Sequence, residues 1–119
     1  MVELKEISKE RLKGISERCY RDAESCQKDA EGFQRDAERC QGEVGHWQKQ
    51  ARWYQGKAQA CPEEAEACRA KAESFQEIAE SWQSKAGTCQ RNAEDRQKKA
   101  EDYQIIVACL EKEINGRGA

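Results

Sequence analysis

From Cys19 to Leu110 the chain carries an unbroken seven-residue repeat with two apolar positions in each heptad. The spacing between successive apolar positions alternates between three and four residues, and the positions between them are mostly polar. This alternation is typical of the a/d seam of a coiled coil. We therefore predict an all-α protein whose long helices pack against each other through the seam.

The two seam positions differ in size. Position a is a stripe of small side chains, namely Ala23, Ala30, Ala37, Val44, Ala51, Ala58, Ala65, Ala72, Ala79, Ala86, Ala93, Ala100 and Val107. Position d carries cysteine or a larger residue, namely Cys26, Phe33, Cys40, Trp47, Tyr54, Cys61, Cys68, Phe75, Trp82, Cys89, Arg96, Tyr103 and Leu110. Apart from the charged Arg96, these side chains form the predicted helix-to-helix core.

A longer repeat divides the chain. Residues 19–60 align with the residues that follow at a shift of six heptads, which indicates an internal duplication. We predict four segments: an N-terminal helical segment 1–18, a first coiled-coil repeat 19–60, a second repeat with a C-terminal aliphatic segment at 61–114, and a short tail 115–119.

The sequence Cys61-Pro62-Glu63-Glu64 marks the boundary between the two repeats. Proline is tolerated at the first position of a helix, and acidic residues suit its first turn. Inside a helix the same proline would cost about 3 kcal/mol. These signals favour a helical hairpin that turns here. A continuous kinked helix is the alternative, since Pro62 lies at position e, outside the seam.

Two features favour antiparallel packing. An antiparallel pair sets a small a residue beside a large d residue in every layer, which fills the core evenly. In this respect the pattern resembles the alanine-coil class of antiparallel helix pairs. The g positions also change from acidic to mostly basic along the chain, and folding about Ala60 brings Asp22 near Lys99 and Asp36 near Lys85. Two long helices from different chains would satisfy the same pattern.

Six of the seven cysteines occupy position d, and only Cys109 lies off it. We favour the interpretation that they are small buried hydrophobic residues, which predicts burial of Cys26, Cys40, Cys61, Cys68 and Cys89. Disulfides between helices and thiolate metal binding are the alternatives. The chain has no Cys-x-x-Cys spacing, and its single histidine lies outside the seam. We therefore predict no metal and no cofactor.

Charge and composition argue against several functions. Charged residues make up 37% of the chain, and positive and negative charges nearly balance, with a net charge of −2. The sequence has no stripe of lysine and arginine along one helix face, so it does not favour nucleic-acid binding. The longest apolar run, residues 105–110, is too short to cross a membrane, and the N-terminus has no apolar signal core. We expect a cytoplasmic protein. The pattern offers no catalytic constellation, so we predict no enzyme.

The pattern indicates a structural or scaffolding coiled coil that self-associates into a bundle or filament. A pair of helices with an alanine seam has a thin core, so we expect a homo-oligomer. Two alternatives remain. The chain is a binding module for a helix of another protein, or a cysteine-rich helical bundle that binds metal or exchanges thiols.

Overall fold

The computed structural model describes residues 4–117, and over this range the chain is helical without a strand. A short 3-10 turn at Leu4–Glu6 precedes helix α1 at Lys9–Ala60. A second 3-10 turn at Pro62–Glu64 leads into helix α2 at Ala65–Arg117. The two helices pack against each other in antiparallel orientation. The predicted all-α hairpin is confirmed, and the continuous kinked helix is wrong.

Helix α1 begins where the sequence supplies a cap. The backbone N–H of Arg11 donates to the Ser8 hydroxyl oxygen at 3.2 Å, and the N–H of Leu12 donates to the Ser8 carbonyl at 3.0 Å. A serine at this position satisfies a donor that the first helical turn leaves without a partner. Leu12, in the same turn, is buried.

The connection between the helices depends on Pro62. A residue before proline is disfavoured in the α region, and Cys61 accordingly has φ −124° and ψ 82°. Helix α1 therefore ends at Ala60, while Pro62 takes the first position of the next turn, followed by Glu63 and Glu64. The N–H of Glu64 then donates to the Cys61 carbonyl at 3.0 Å, which closes the turn.

The chain divides into two compact units. The terminal unit comprises residues 4–32 with 92–117, and the turn unit comprises residues 33–91. Each contains a segment of α1 and a segment of α2. In both units the stripe of small residues is buried: Ala23, Ala30, Ala93, Ala100 and Val107 in the terminal unit, and Ala37, Val44, Ala51, Ala58, Ala65, Ala72, Ala79 and Ala86 in the turn unit.

Position d is less uniform. Cys26, Cys40, Cys68 and Leu110 are buried, whereas Cys89, Arg96 and the aromatic residues Phe33, Trp47, Tyr54, Phe75, Trp82 and Tyr103 are half-buried. The predicted burial of Cys61 is wrong, because this residue is exposed. Its backbone has left the helix at the turn, so its heptad position no longer directs the side chain to the partner helix.

The C-terminal end of α2 is fixed by contacts to the N-terminal end of the described chain. Helix α2 continues to Arg117 and so includes part of the predicted tail 115–119. The Arg117 guanidinium pairs with Glu113 at 3.1 Å and donates to the carbonyl oxygens of Leu4 and Ile7. These contacts hold the last helical turn in place. Residues 1–3 of the predicted N-terminal segment and residues 118–119 of the tail lie outside the described residues.

Candidate interaction site

Three aromatic rings form a stack in the turn unit. The Phe75 ring of α2 lies 5.3 Å from Trp47 and 5.5 Å from Tyr54, measured between centroids, with interplanar angles of 24° and 33°. Trp47 and Tyr54 are one heptad apart on α1, so Phe75 is level with the alanine between them, Ala51. Ala51 is only 1% exposed. A large d residue thus packs opposite a small a residue, as the antiparallel interpretation predicts.

The stack continues toward the surface on α1. The Trp53 ring packs edge-on against Tyr54 at 4.8 Å, and the His46 ring packs edge-on against Trp47 at 4.9 Å. The Trp47 indole N–H donates to the Glu43 carboxylate at 3.2 Å. These contacts fix the Trp47 ring in one orientation, since its N–H has a partner on the same helix.

Lysines at position g lie over the aromatic rings. The ammonium-to-centroid distances are 5.4 Å for Lys57 over Trp53, 5.2 Å for Lys71 over Tyr54, and 4.5 Å for Lys85 over Trp82. At exposed sites a contact of this type is worth about 0.5–1 kcal/mol. The lysines therefore place a positive edge beside the rings.

We define the aromatic face by Trp47, Trp53, Tyr54, Phe75 and Ile78. The three rings of the stack are half-buried, whereas Trp53 is 59% and Ile78 is 37% exposed. The heptad pattern assigned Trp47, Tyr54 and Phe75 to a closed core, but one partner helix covers only part of each ring. The exposed positions of Trp53 and Ile78, at c and g, are the sequence signal for a wider apolar surface.

A pair of thiols lies on the same side of the seam, farther from the turn. Cys40 and Cys89 line a surface cavity of about 510 Å³ together with Asp36, Trp82 and Lys85. Partial burial raises the pKa of the Cys89 thiol above its usual value. The neighbouring Cys40 thiol and the Asp36 carboxylate raise this pKa further.

The charged residues at g are only partly placed as the sequence predicts. Asp36 and Lys85 line the same cavity, but Asp36 pairs with Arg39 of its own helix at 3.2 Å. In the terminal unit the ion pair between helices joins Asp29 to Arg96 at 4.0 Å. Arg96 is the one charged residue of the d stripe, and an acidic residue at the facing g position is the signal for this pair.

A second groove lies on the opposite side of the seam in the turn unit. Its cavity, of about 390 Å³, has two alanines at its base, Ala37 and Ala86. The remaining lining residues are mostly glutamines at position e, contributed by both helices: Gln34, Glu38, Gln41, Gln83, Gly87 and Gln90. We call it the alanine–glutamine groove. It is uncharged apart from Glu38.

The remaining cysteines do not form clusters of ligands. Cys61 and Cys109 are exposed, Cys26 and Cys68 are buried, and Cys19 is half-buried. Within residues 4–117, no group of three or more histidine, cysteine or acidic side chains is arranged to hold a metal ion. The groups that these surfaces offer to a partner are the Cys40–Cys89 thiol pair, the aromatic rings and the lysines at position g.

The chain matches no protein-family model, no curated protein and no solved structure. None of the helices within residues 4–117 is long and apolar enough to span a membrane.

Proposed function

We propose that this protein is a non-enzymatic structural subunit that self-associates through the aromatic face, with two hairpins forming a four-helix bundle. The observation that carries the proposal is the exposure of this face. Three half-buried rings lie in the turn unit, the exposed Trp53 packs on one of them, and the exposed Ile78 lies at position g of α2, three residues after Phe75. Contiguous apolar surface of this kind is typical of an interaction site.

The thin core of the turn unit supports the same proposal. Its buried hydrophobic residues are alanines, two cysteines and a valine, so little apolar area is removed from water when the two helices pair. The aromatic rings hold most of the apolar surface that remains available. A second hairpin placed over them would complete their burial and add the missing hydrophobic stabilisation.

The charges favour a second copy of the chain as the occupant. At position g, α1 carries the acidic residues Asp36 and Glu43, and α2 carries the basic residues Lys71 and Lys85. The signs are reversed only beside the turn, where Lys57 and Glu64 already pair with each other. A two-fold axis parallel to the helices places α1 of one hairpin over α2 of the other. The acidic edge of each copy then faces the basic edge of its partner, so the face is self-complementary.

The test is the molar mass of the full chain by light scattering, measured in reductant so that exposed Cys61 and Cys109 do not crosslink copies. We expect twice the chain mass for the wild type and a shift to the monomer for Ile78→Glu. Ile105→Glu is the matched control, because Ile105 is also on α2 and is 63% exposed but lies at position f, away from the aromatic face.

A wild-type protein that is monomeric at high concentration would overturn self-association. Equal molar masses for the wild type and both variants, all above the monomer, would show that copies associate through a different surface. Loss of association in Ile105→Glu alone would place the interface on the outer face of α2.

A helix of another protein is the second candidate occupant, and the alanine–glutamine groove favours it. Small residues at its base, Ala37 and Ala86, leave room for close approach of a third helix, and glutamine amides donate and accept hydrogen bonds without selecting charge. A monomeric wild-type chain that binds a helical partner, and loses it in a Gln83→Glu variant with unchanged helical content, would support this second function, because Gln83 lines the groove and is exposed.

A further inference from the structure

We propose that Cys40 and Cys89 form a redox-active pair that closes into a reversible disulfide between α1 and α2. The oxidant we name is a low-molecular-weight disulfide of the oxidised-glutathione type. Both thiols belong to one chain, so the proposal does not depend on self-association through the aromatic face.

The register of the hairpin brings these two cysteines together. Cys40 lies two heptads before Tyr54 on α1, and Cys89 lies two heptads after Phe75 on α2. The pair therefore has the same antiparallel relation as Tyr54 and Phe75, whose ring centroids are 5.5 Å apart. Both cysteines line one surface cavity, so the two thiols are neighbours across the helix pair. Closure of the bond requires the two Cα atoms to lie within about 7 Å of each other.

No other d cysteine on the two helices has this relation to a second cysteine on the partner helix. The position that corresponds to Cys26 in the same register is Tyr103, and the position that corresponds to Cys19 is Leu110. Cys68 corresponds to Cys61, which lies at the turn and is exposed. Cys26 is therefore a matched control, because it is buried at position d but faces no thiol.

The environment sets the order of the two steps. Cys40 is buried, whereas Cys89 is half-buried at the cavity, so an oxidant reaches Cys89 first. The Cys89 thiolate attacks one sulfur of the oxidant and breaks its disulfide bond, and one thiol leaves with a proton. The Cys40 thiolate then attacks the Cys89 sulfur and expels the second thiol. The protein loses two electrons and two protons, and the oxidant is reduced to two thiols.

The test uses the full chain in buffers with a graded ratio of reduced to oxidised glutathione, quenched with acid and analysed by intact mass and by non-reducing peptide mapping. We expect a product with the mass of one chain less two hydrogen atoms. Its peptide map should contain Cys40 and Cys89 in one disulfide-linked peptide. The loop closed by this bond spans about fifty residues, so oxidation should raise the Tm on the order of 10 °C.

Variants separate this pair from nonspecific oxidation. Cys40→Ser and Cys89→Ser should each abolish the loss of two hydrogens and the rise in Tm, and Cys26→Ser should retain both. Cys40→Ala and Cys89→Ala repeat the test with apolar replacements, and circular dichroism checks that each variant folds. Two results would overturn the proposal: glutathione that stays attached to Cys89 without closure, or oxidation that links only Cys61 or Cys109 between chains.

Discussion

The Phe75 ring of α2 lies nearly parallel to the Trp47 ring of α1, with centroids 5.3 Å apart and planes inclined by 24°. Stacking of this type adds about 0.5–1.5 kcal/mol beyond the apolar area that the rings bury. Because Tyr54 also contacts Phe75, one phenylalanine connects two successive d positions of α1, which lie two helical turns apart. The stability of the turn unit therefore depends strongly on this side chain.

Replacement of Phe75 by alanine should lower the free energy of unfolding by about 3 kcal/mol, since it removes a large ring and both of its stacking contacts. Phe33→Ala is the matched control. Phe33 is also half-buried at position d, but no stacked ring faces it within the described residues. Chemical denaturation measures both variants, and equal losses would show that the stack adds nothing to ordinary burial.

Ala72→Leu should lower the free energy of unfolding by about 1–3 kcal/mol, because the seam has no space for the added volume. Ala72 is buried at position a, whereas Ala70 on the same helix is exposed at position f. Ala70→Leu should therefore leave the Tm nearly unchanged. If both variants melt at the same temperature, the alanine stripe is not a closely packed interface.

The Asp29–Arg96 pair should contribute about 0.5 kcal/mol, because both side chains are about half exposed and solvent screens their attraction. A double-mutant cycle with Asp29→Asn and Arg96→Gln measures the coupling energy. Salt at high concentration should reduce it. A coupling energy of zero at low salt would show that the pair has no role in orienting the helices.

Maleimide labelling of the reduced chain should modify Cys61 and Cys109 first, then Cys19 and Cys89, and the buried Cys26, Cys40 and Cys68 last. The order follows from accessibility, since a buried thiol reacts only when the helices separate locally. Peptide mapping at timed intervals gives the order. Fast labelling of Cys68 would contradict the burial of the seam near the turn.

The raised pKa of Cys89 has a measurable consequence. Burial of the thiol is the main cause, and the Cys40 thiol and Asp36 carboxylate on α1 add to it. The positively charged side chains of Arg39 and Lys85 line the same cavity. Because folding favours the protonated thiol, the contribution of Cys89 to stability is constant below the usual cysteine pKa. It falls as the pH rises from there through the raised value.

The rate of Cys89 alkylation should accordingly reach its half-maximum at a higher pH in the folded chain than in a short peptide. Cys40→Ser should move that midpoint back toward the usual value, since one cause of the shift is removed. The measurement uses iodoacetamide and peptide mapping across the alkaline range. A midpoint for folded Cys89 at or below that of the peptide would contradict the assigned environment.

The heptad pattern predicts the helices and their antiparallel orientation well, because these follow from residue spacing and from the conformational restriction at Pro62. The pattern assigns a residue to a face of its helix, but it does not determine how fully a single partner covers a large side chain. For this reason Phe75 and Trp47, which the pattern assigns to the helix-to-helix core, are half-buried. Cys61 is exposed for another reason. Duplication in whole heptads keeps it at position d in the sequence, but its backbone is not helical at the turn.

The connection at Pro62–Glu64 also constrains the order in which contacts are able to form. Lys57 and Glu64 pair at 3.6 Å across only a few residues of chain, whereas Arg117 reaches Ile7 across nearly the whole sequence. The entropy lost on closing a loop grows with its length, so contacts beside the turn have the smallest entropic barrier. We expect folding to start there and advance one heptad at a time, each closed layer shortening the next loop to a few residues. The contacts between the first and last helical turns then form last, when the preceding layers have already brought them close together.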